Sequence, residues 1–258
     1  MITTYASYTS ISRNLPTSLA RVAEKPEVAR ESAYYLSNIG NIKSVDDFMA
    51  DSRIYNYALK AHGLEDMAYA KAFIRKVLTE GIKDPDTFAN QLADKRYAAL
   101  AETFNFEAFE DATTAFEKAQ KGVIDKYQRQ TLEEDAGADN AGVRLALYFE
   151  RMAPSIKSGM EILADDALAE VVRTVLQLPA EMAALDVDRQ AEFIADAVDI
   201  ESFQDPAKVS KFLERFSALW ELNNSTAADT TVSLFTPSTR GISTDLLISI
   251  NALKLGGK

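Results

Sequence analysis

The sequence predicts an all-α protein, a compact multi-helix bundle with two pseudo-repeated helical modules. Three observations indicate this architecture. The 258 residues include only 10 Gly and 7 Pro, and these lie where helical patterns begin or end. Between them, apolar residues recur three and four positions apart, which is the spacing of one helix face. Similar caps and apolar stripes also occur twice along the chain, in the same order.

The first clear helices can be placed from their caps. Pro26 begins a helix, because proline has no amide hydrogen to lose in the first turn, and Gly40 is a suitable carboxyl cap. Ser44 and Asp47 resemble a capping box, in which the serine hydroxyl accepts a hydrogen bond from a first-turn amide. The next helix is therefore expected to start at Ser44.

Glycines and acidic residues mark the following boundaries. An apolar stripe begins after Asp51 and ends at Gly63, where a left-handed cap is expected. Asp66 is predicted to begin a helix that Gly81 ends. Pro85, preceded by a capping carboxylate, begins another.

The middle of the chain predicts a bridge between two halves. Residues 116–132 keep the helical period and are expected to form a long amphipathic helix. Residues 133–140 hold four acids and no basic residue, so we expect a surface loop there. A helix over 141–152 follows, and Pro154 stops it.

An internal repeat is the most specific pattern in the sequence. Ile-Lys-Ser occurs at 42–44 and again at 156–158, and Ala-Asp at 50–51 recurs at 164–165, an offset of 114 residues. Matched caps and stripes in one order favour duplication over the chance alignment of amphipathic helices. The predicted segments are an N-terminal helical segment (1–41), a first module (42–106), bridging helices (107–155), a second module (156–222) and a Ser/Thr-rich segment with a C-terminal amphipathic helix (223–258).

Both ends of the chain carry apolar side chains at helical spacing, and these are the candidate partner-binding residues. The N-terminal stripe comprises Tyr5, Tyr8 and Ile11, and the C-terminal stripe comprises Leu246, Leu247, Ile250 and Leu253. Two interpretations stand at this point. Either the stripes pack on the core of their own chain, or they dock on a protein partner.

Composition excludes several classes of function. No apolar run approaches the roughly 18 to 20 residues that span a bilayer, and the first charged residue is Arg13, so we expect neither a membrane span nor a secretory signal peptide. A net charge of −11 disfavours nucleic acid as a partner. The absence of Cys rules out disulfides and thiolate sites, and a single His rules out two-His metal motifs.

Little in the sequence points to catalysis. His62 lies at a predicted helix end, where an imidazolium would meet the partial negative charge of the carbonyls, and capping or packing is favoured over a catalytic base. On this view a His62→Phe protein still folds. Acid pairs such as Asp165 and Asp166 lack the spacing of a calcium loop, and Lys95 with Arg96 indicates a solvated face. No catalytic residue, cofactor or metal site is predicted.

One stretch carries longer motifs. Residues 45–106 include Asp46-Asp47-Phe48, Asp51-Ser52-Arg53, Asp94-Lys95-Arg96-Tyr97 and Phe104-Asn105-Phe106. This stretch resembles the uncharacterised bacterial family numbered 1217 among the domains of unknown function. The resemblance implies no activity and no catalytic residue. It implies that family members occur in flagellated alphaproteobacteria, often beside flagellar genes. His62 departs from the aromatic Phe that the family more usually has.

The expected function is that of a non-enzymatic helical interaction protein in bacterial flagellar assembly or structure. Its protein partner would be a flagellar basal-body or export component, and its location the cytoplasm or the outside of the cell after export by the flagellar apparatus. The alternative is a small-ligand-binding or regulatory helical domain with a pocket between the two modules.

Overall fold

Short helices make up the first part of the chain. The structure is a computed structural model. It describes residues 3–224 except 180, 181, 183 and 184, and the described residues include no β-strand. The helix expected from Asp66 begins at Lys71, after a 3₁₀ turn that has no side-chain cap. The α-helices are α1 (Thr4–Arg13), α2 (Leu15–Ala23), α3 (Pro26–Asn38), α4 (Val45–Ala50), α5 (Ser52–Ala61), α6 (Lys71–Glu80), α7 (Phe88–Gln91), α8 (Lys95–Thr103) and α9 (Phe106–Phe109), with 3₁₀ turns at Ile39–Asn41 and Glu65–Met67.

The second part contains the longest helices. Among the described residues, none of the helices combines the length and the hydrophobicity of a membrane span. The α-helices are α10 (Lys121–Asp139), α11 (Ala141–Met152), α12 (Gly159–Leu163), α13 (Asp166–Leu176), α14 (Val187–Ala197) and α15 (Pro206–Asn224), with 3₁₀ turns at Glu110–Ala115, Glu117–Ala119, Ala153–Ser155 and Ile200–Gln204.

Buried apolar side chains form two main clusters. The first is drawn from residues 35–123, and the second from residues 143–216 together with Tyr8. Helix α10 packs against α5, which belongs to the first cluster, and against α11, which belongs to the second. The helices up to Trp220 belong to one compact unit. The predicted all-α compact bundle is therefore confirmed.

The same hydrogen bonds begin helices α4 and α12. The amide of Asp47 lies 3.1 Å from Ser44 Oγ, and the amide of Glu161 lies 3.2 Å from Ser158 Oγ. In each case the acid also accepts from the backbone amide just before the serine, at 3.0 Å and 2.8 Å respectively. The capping box predicted at Ser44 and Asp47 is formed in a variant in which the acid bonds the amide before the N-cap serine, and the same arrangement recurs at Ser158 and Glu161.

A hydrogen-bonded aspartate at the start of a helix also occurs twice, at positions 114 residues apart. Asp51 caps α5 and Asp165 caps α13, and each carboxylate accepts from two backbone amides. Each also accepts from a tyrosine hydroxyl, that of Tyr34 at 3.0 Å and that of Tyr148. The later elements of the two segments differ. The first segment continues with the four short helices α6 to α9, whereas the second continues with α14, a 3₁₀ turn and the 19-residue α15. Duplication of whole modules stays a prediction.

One prediction for the middle of the chain is confirmed and one is wrong. The long helix expected over 116–132 is present as α10, but it begins at Lys121 and continues to Asp139 through most of the segment where the surface loop 133–140 was expected. The acidic residues remain helical because cations from distant parts of the chain neutralise them. Glu134 Oε2, for example, lies 2.5 Å from Lys60 Nζ on α5.

Glu133 departs furthest from the expected surface loop. Its side chain is 0% exposed. Its carboxylate accepts hydrogen bonds from Arg129 Nε and from Arg151 Nε and Nη2, each at 2.8 Å. Arg129 lies one turn earlier on α10, whereas Arg151 lies on α11. One buried carboxylate therefore ties these two helices together.

We predict that Glu133→Gln lowers the free energy of unfolding by about 3 to 5 kcal/mol, the usual effect of removing one partner of a buried ion pair. The amide preserves the size of the side chain but leaves Arg129 and Arg151 without their shared countercharge. Urea denaturation followed by far-UV circular dichroism measures the change. The matched control is Asp135→Asn, whose half-exposed pair with Lys25 should contribute at most about 1 kcal/mol. Equal losses in both variants would contradict this account.

Candidate functional site

A cleft of about 670 Å³ opens where helices α5, α8, α10 and α11 meet the segment 155–161. Its walls come from the first predicted module, from the bridging helices and from the start of the second module. Pockets that hold small molecules in proteins usually measure roughly 300 to 1,000 Å³. The cavity has the size and position of the pocket that the alternative function requires.

Positive side chains dominate this cleft. It is lined by five cationic residues and two carboxylates, namely Lys95, Arg96, Lys126, Arg151 and Lys157 with Glu102 and Glu161. The chain as a whole has a net charge of −11, so the charge of the cleft is opposite in sign to that of the protein. One of the two carboxylates, Glu161, is engaged in the capping box of α12. Such a surface attracts anions.

The single histidine of the chain lines the cleft in a defined tautomer. His62 is the C-cap of α5 and is 7% exposed. Its Nδ1 lies 2.8 Å from the carbonyl oxygen of Ala58. Because a carbonyl only accepts, Nδ1 carries the proton, and Nε2 is an acceptor.

Lys126 donates to that acceptor. Its Nζ lies 3.0 Å from His62 Nε2 and 3.1 Å from Thr103 Oγ1. The Thr103 hydroxyl donates its own proton to the carbonyl of Ala99 at 2.9 Å, so its oxygen accepts from Lys126. Both partners of the ammonium are neutral, and within the described part of the chain it forms no ion pair with a carboxylate.

Burial sets the protonation of this pair. It lowers the pKa of His62 to about 3, and the charge of Lys126 acts in the same direction. Burial also lowers the pKa of Lys126, which Glu102 opposes and Arg151 reinforces. The prediction that His62 carries a positive charge at the helix end is therefore wrong. A proton on Nε2 would face the Lys126 ammonium, so the imidazole is neutral at pH 7.

Two arginines frame the cleft, and each is fixed by its own carboxylate. Arg96 Nη2 donates to Asp94 and Arg96 Nη1 donates to the carbonyl of Gly63, both at 2.8 Å. Arg151 is held by Glu133. Arg96 was expected on a solvated face, but its side chain is only 26% exposed. Its guanidinium lines the cleft while Asp94 and Gly63 hold it in place.

The N-terminal stripe lies against the interior. Tyr8 is 2% exposed, and its hydroxyl donates to Glu150 Oε1 at 3.0 Å. Tyr5 and Ile11 are partly buried against the second core cluster. Tyr8 therefore packs inside its own chain, whereas Tyr5 and Ile11 remain partly exposed, and their assignment to partner binding stays a prediction. The C-terminal stripe lies outside the described residues; it comprises Leu246, Leu247, Ile250 and Leu253.

Sequence reasoning missed Lys126, although a signal was available. Lys126 lies three residues after Val123 and four before Gln130, and both of those are buried. Helical periodicity therefore places this lysine on the inner face of α10. No local pattern indicates its partners, because His62 and Thr103 lie 64 and 23 residues away in sequence.

We predict that the neutral state of His62 makes stability depend on pH. The histidine pKa is 6.5 in its ordinary state and about 3 in the folded protein, so the unfolded chain binds one more proton between these values. The contribution of His62 to the free energy of unfolding is therefore complete above pH 6.5. It decreases as the pH drops below 6.5, by up to about 1.4 kcal/mol per pH unit. Urea denaturation of the natural protein between pH 7 and pH 5 measures the decline.

Two variants isolate the histidine. His62→Gln retains hydrogen-bonding groups without titrating, so its decline over the same pH range should be shallower. His62→Phe removes the acceptor of Lys126, and we therefore expect it to be less stable than His62→Gln at pH 7.5, contrary to the tolerance that the sequence suggested. A decline in His62→Gln as steep as in the natural protein would overturn the neutral assignment.

Comparison with known proteins assigns the chain to a family. The family model described as a protein of unknown function, DUF1217, matches residues 61–209, more than half of the chain. The crystal structure of the protein AGR_C_984 from Agrobacterium tumefaciens is 60% identical in sequence, with a TM-score of 0.80, and the match covers 86% of this chain and 94% of that one. No curated protein matches the chain. The family match begins inside the stretch 45–106, at residue 61, and continues into the second predicted module, and this protein belongs to the DUF1217 family.

Proposed function

We propose that this protein is a non-enzymatic helical interaction protein in bacterial flagellar assembly or structure. The observation that carries the proposal is membership of the DUF1217 family, because the resemblance described above implies that family members often lie beside flagellar genes. The partner is a flagellar basal-body or export component. The protein acts in the cytoplasm or after export by the flagellar apparatus.

The C-terminal stripe is the proposed docking segment. Within the N-terminal stripe, Tyr8 is buried and hydrogen-bonded inside the fold, which leaves the partly buried Tyr5 and Ile11 for contact with a partner. Fully covering one aliphatic side chain of a stripe contributes about 1.5 to 3 kcal/mol. Four such residues are sufficient to hold a protein partner.

A second candidate function is small-ligand binding or regulation, and the observation that favours it is the cationic cleft of about 670 Å³. Its lining residues come from the first predicted module, from the bridging helices and from the start of the second predicted module, which supports this function. We further propose that these modules, 42–106 and 156–222, derive from one duplicated unit. The recurring serine caps and the recurring Tyr–Asp hydrogen bonds support that origin.

We predict that replacing the four residues of the C-terminal stripe by serine abolishes co-purification with flagellar basal bodies and export components. The change removes the apolar contact area but adds no charge, so the thermal midpoint should remain nearly unchanged. Immunoblotting of purified basal bodies and export complexes measures the association. The matched control replaces Ser243, Thr244 and Ser249 by alanine, which alters the same segment and preserves the stripe.

Two outcomes would contradict the proposal. If the natural protein is absent from both basal bodies and export complexes, the flagellar role fails. If the serine variant melts at a much lower temperature but still co-purifies, the stripe serves the core of its own chain and another surface binds the partner.

A further inference from the structure

We propose that the cleft binds a small organic anion with an apolar body, in the manner of a medium-chain carboxylate. This inference rests on the second candidate function and assigns the chemical class of its ligand. It is drawn from three features of the cleft: ammonium groups without countercharges, an apolar wall and fixed arginines.

Three lysines line the cleft, namely Lys95, Lys126 and Lys157, and none of their ammonium groups has a carboxylate partner among the described residues. Lys126 donates to neutral groups only, as described above. Lys95 Nζ lies 3.3 Å from the carbonyl oxygen of Asn90 and 3.0 Å from that of Leu92. Carbonyl oxygens satisfy these donors but do not neutralise their charge. An anionic group in the cleft would supply the missing countercharge and form charge-assisted hydrogen bonds.

The apolar wall indicates that the ligand is more than an inorganic ion. Side chains between the charged groups of the cleft include Ile82, Ala98, Ala99 and Met152. A bare phosphate or sulfate would leave this surface in contact with water. A hydrocarbon body of several carbons would cover it, and burial of its methylene groups would strengthen binding.

The charged groups are held in place before any ligand arrives. Glu133 is fully buried and fixes Arg151, and Asp94 fixes Arg96. His62 accepts a hydrogen bond from Lys126 and so restrains the ammonium. Groups that are already ordered lose little conformational entropy when a ligand binds, which favours affinity.

Isothermal titration calorimetry of the full-length protein at pH 7.5 tests this proposal with three probes. Octanoate carries both features of the ligand, acetate carries the charge alone, and octylammonium carries the hydrocarbon chain with the opposite charge. We expect saturable binding of octanoate, binding of acetate at least about tenfold weaker, and no binding of octylammonium.

Two lysine variants connect the binding to the cleft. Lys126→Gln should weaken octanoate binding by about tenfold or more, because it removes a charge-assisted hydrogen bond. The control is Lys208→Gln, which removes an exposed lysine on α15 and should leave the affinity unchanged. Octanoate should also shift the imidazole nitrogen resonances of His62, a readout in the natural protein that does not depend on whether the variants fold.

Failure of this inference can be told apart from failure of the proposed functions. Equal binding of octanoate and octylammonium would overturn the anion assignment while retaining a ligand-binding cleft. Octanoate binding that is unaffected in folded Lys126→Gln, with no shift at His62, would place the site elsewhere. If none of the probes binds, the inference fails, whereas the flagellar role is decided separately by co-purification with basal bodies.

Discussion

The buried carboxylate of Glu133 is the interaction on which the centre of the structure depends. It joins α10 to α11 by accepting from Arg129 and Arg151. Arg129 also donates to the carbonyl of Leu147 on α11 at 3.0 Å. Glu150, on the same helix, accepts from α1 through Tyr8. The two core clusters and the N-terminal helix are thus connected through a few buried polar groups, which are stabilising only while all of them are paired.

The same pairing determines the electrostatics of the cleft. Burial is the main cause that lowers the pKa of His62 and Lys126, and the positive charge of Arg151, which Glu133 holds at the cleft wall, adds to it. The imidazole therefore stays neutral and can accept from the ammonium. The surface of the cleft is positively charged in an acidic protein partly because Glu133, the countercharge of Arg151, is fully buried and does not line the cleft.

Local physics explains which parts of the fold could be predicted. The serine caps at Ser44 and Ser158 could be predicted because the residues of a capping box are only three positions apart in sequence. The acidic run 133–140 was misassigned because its countercharges come from distant residues such as Lys60. The site could not be predicted for the same reason. Lys126 meets groups from two other helices, and a single sequence does not indicate that they converge.

The cleft depends on a neutral imidazole that accepts a hydrogen bond from Lys126. Nitrogen-15 NMR of the imidazole tests it most directly, and His62 is the only histidine in the chain, so the signals need no assignment. The account predicts a proton on Nδ1, an unprotonated Nε2 and no titration between pH 8 and pH 5. Protonation of the folded protein with a midpoint near the ordinary value of 6.5 would contradict it.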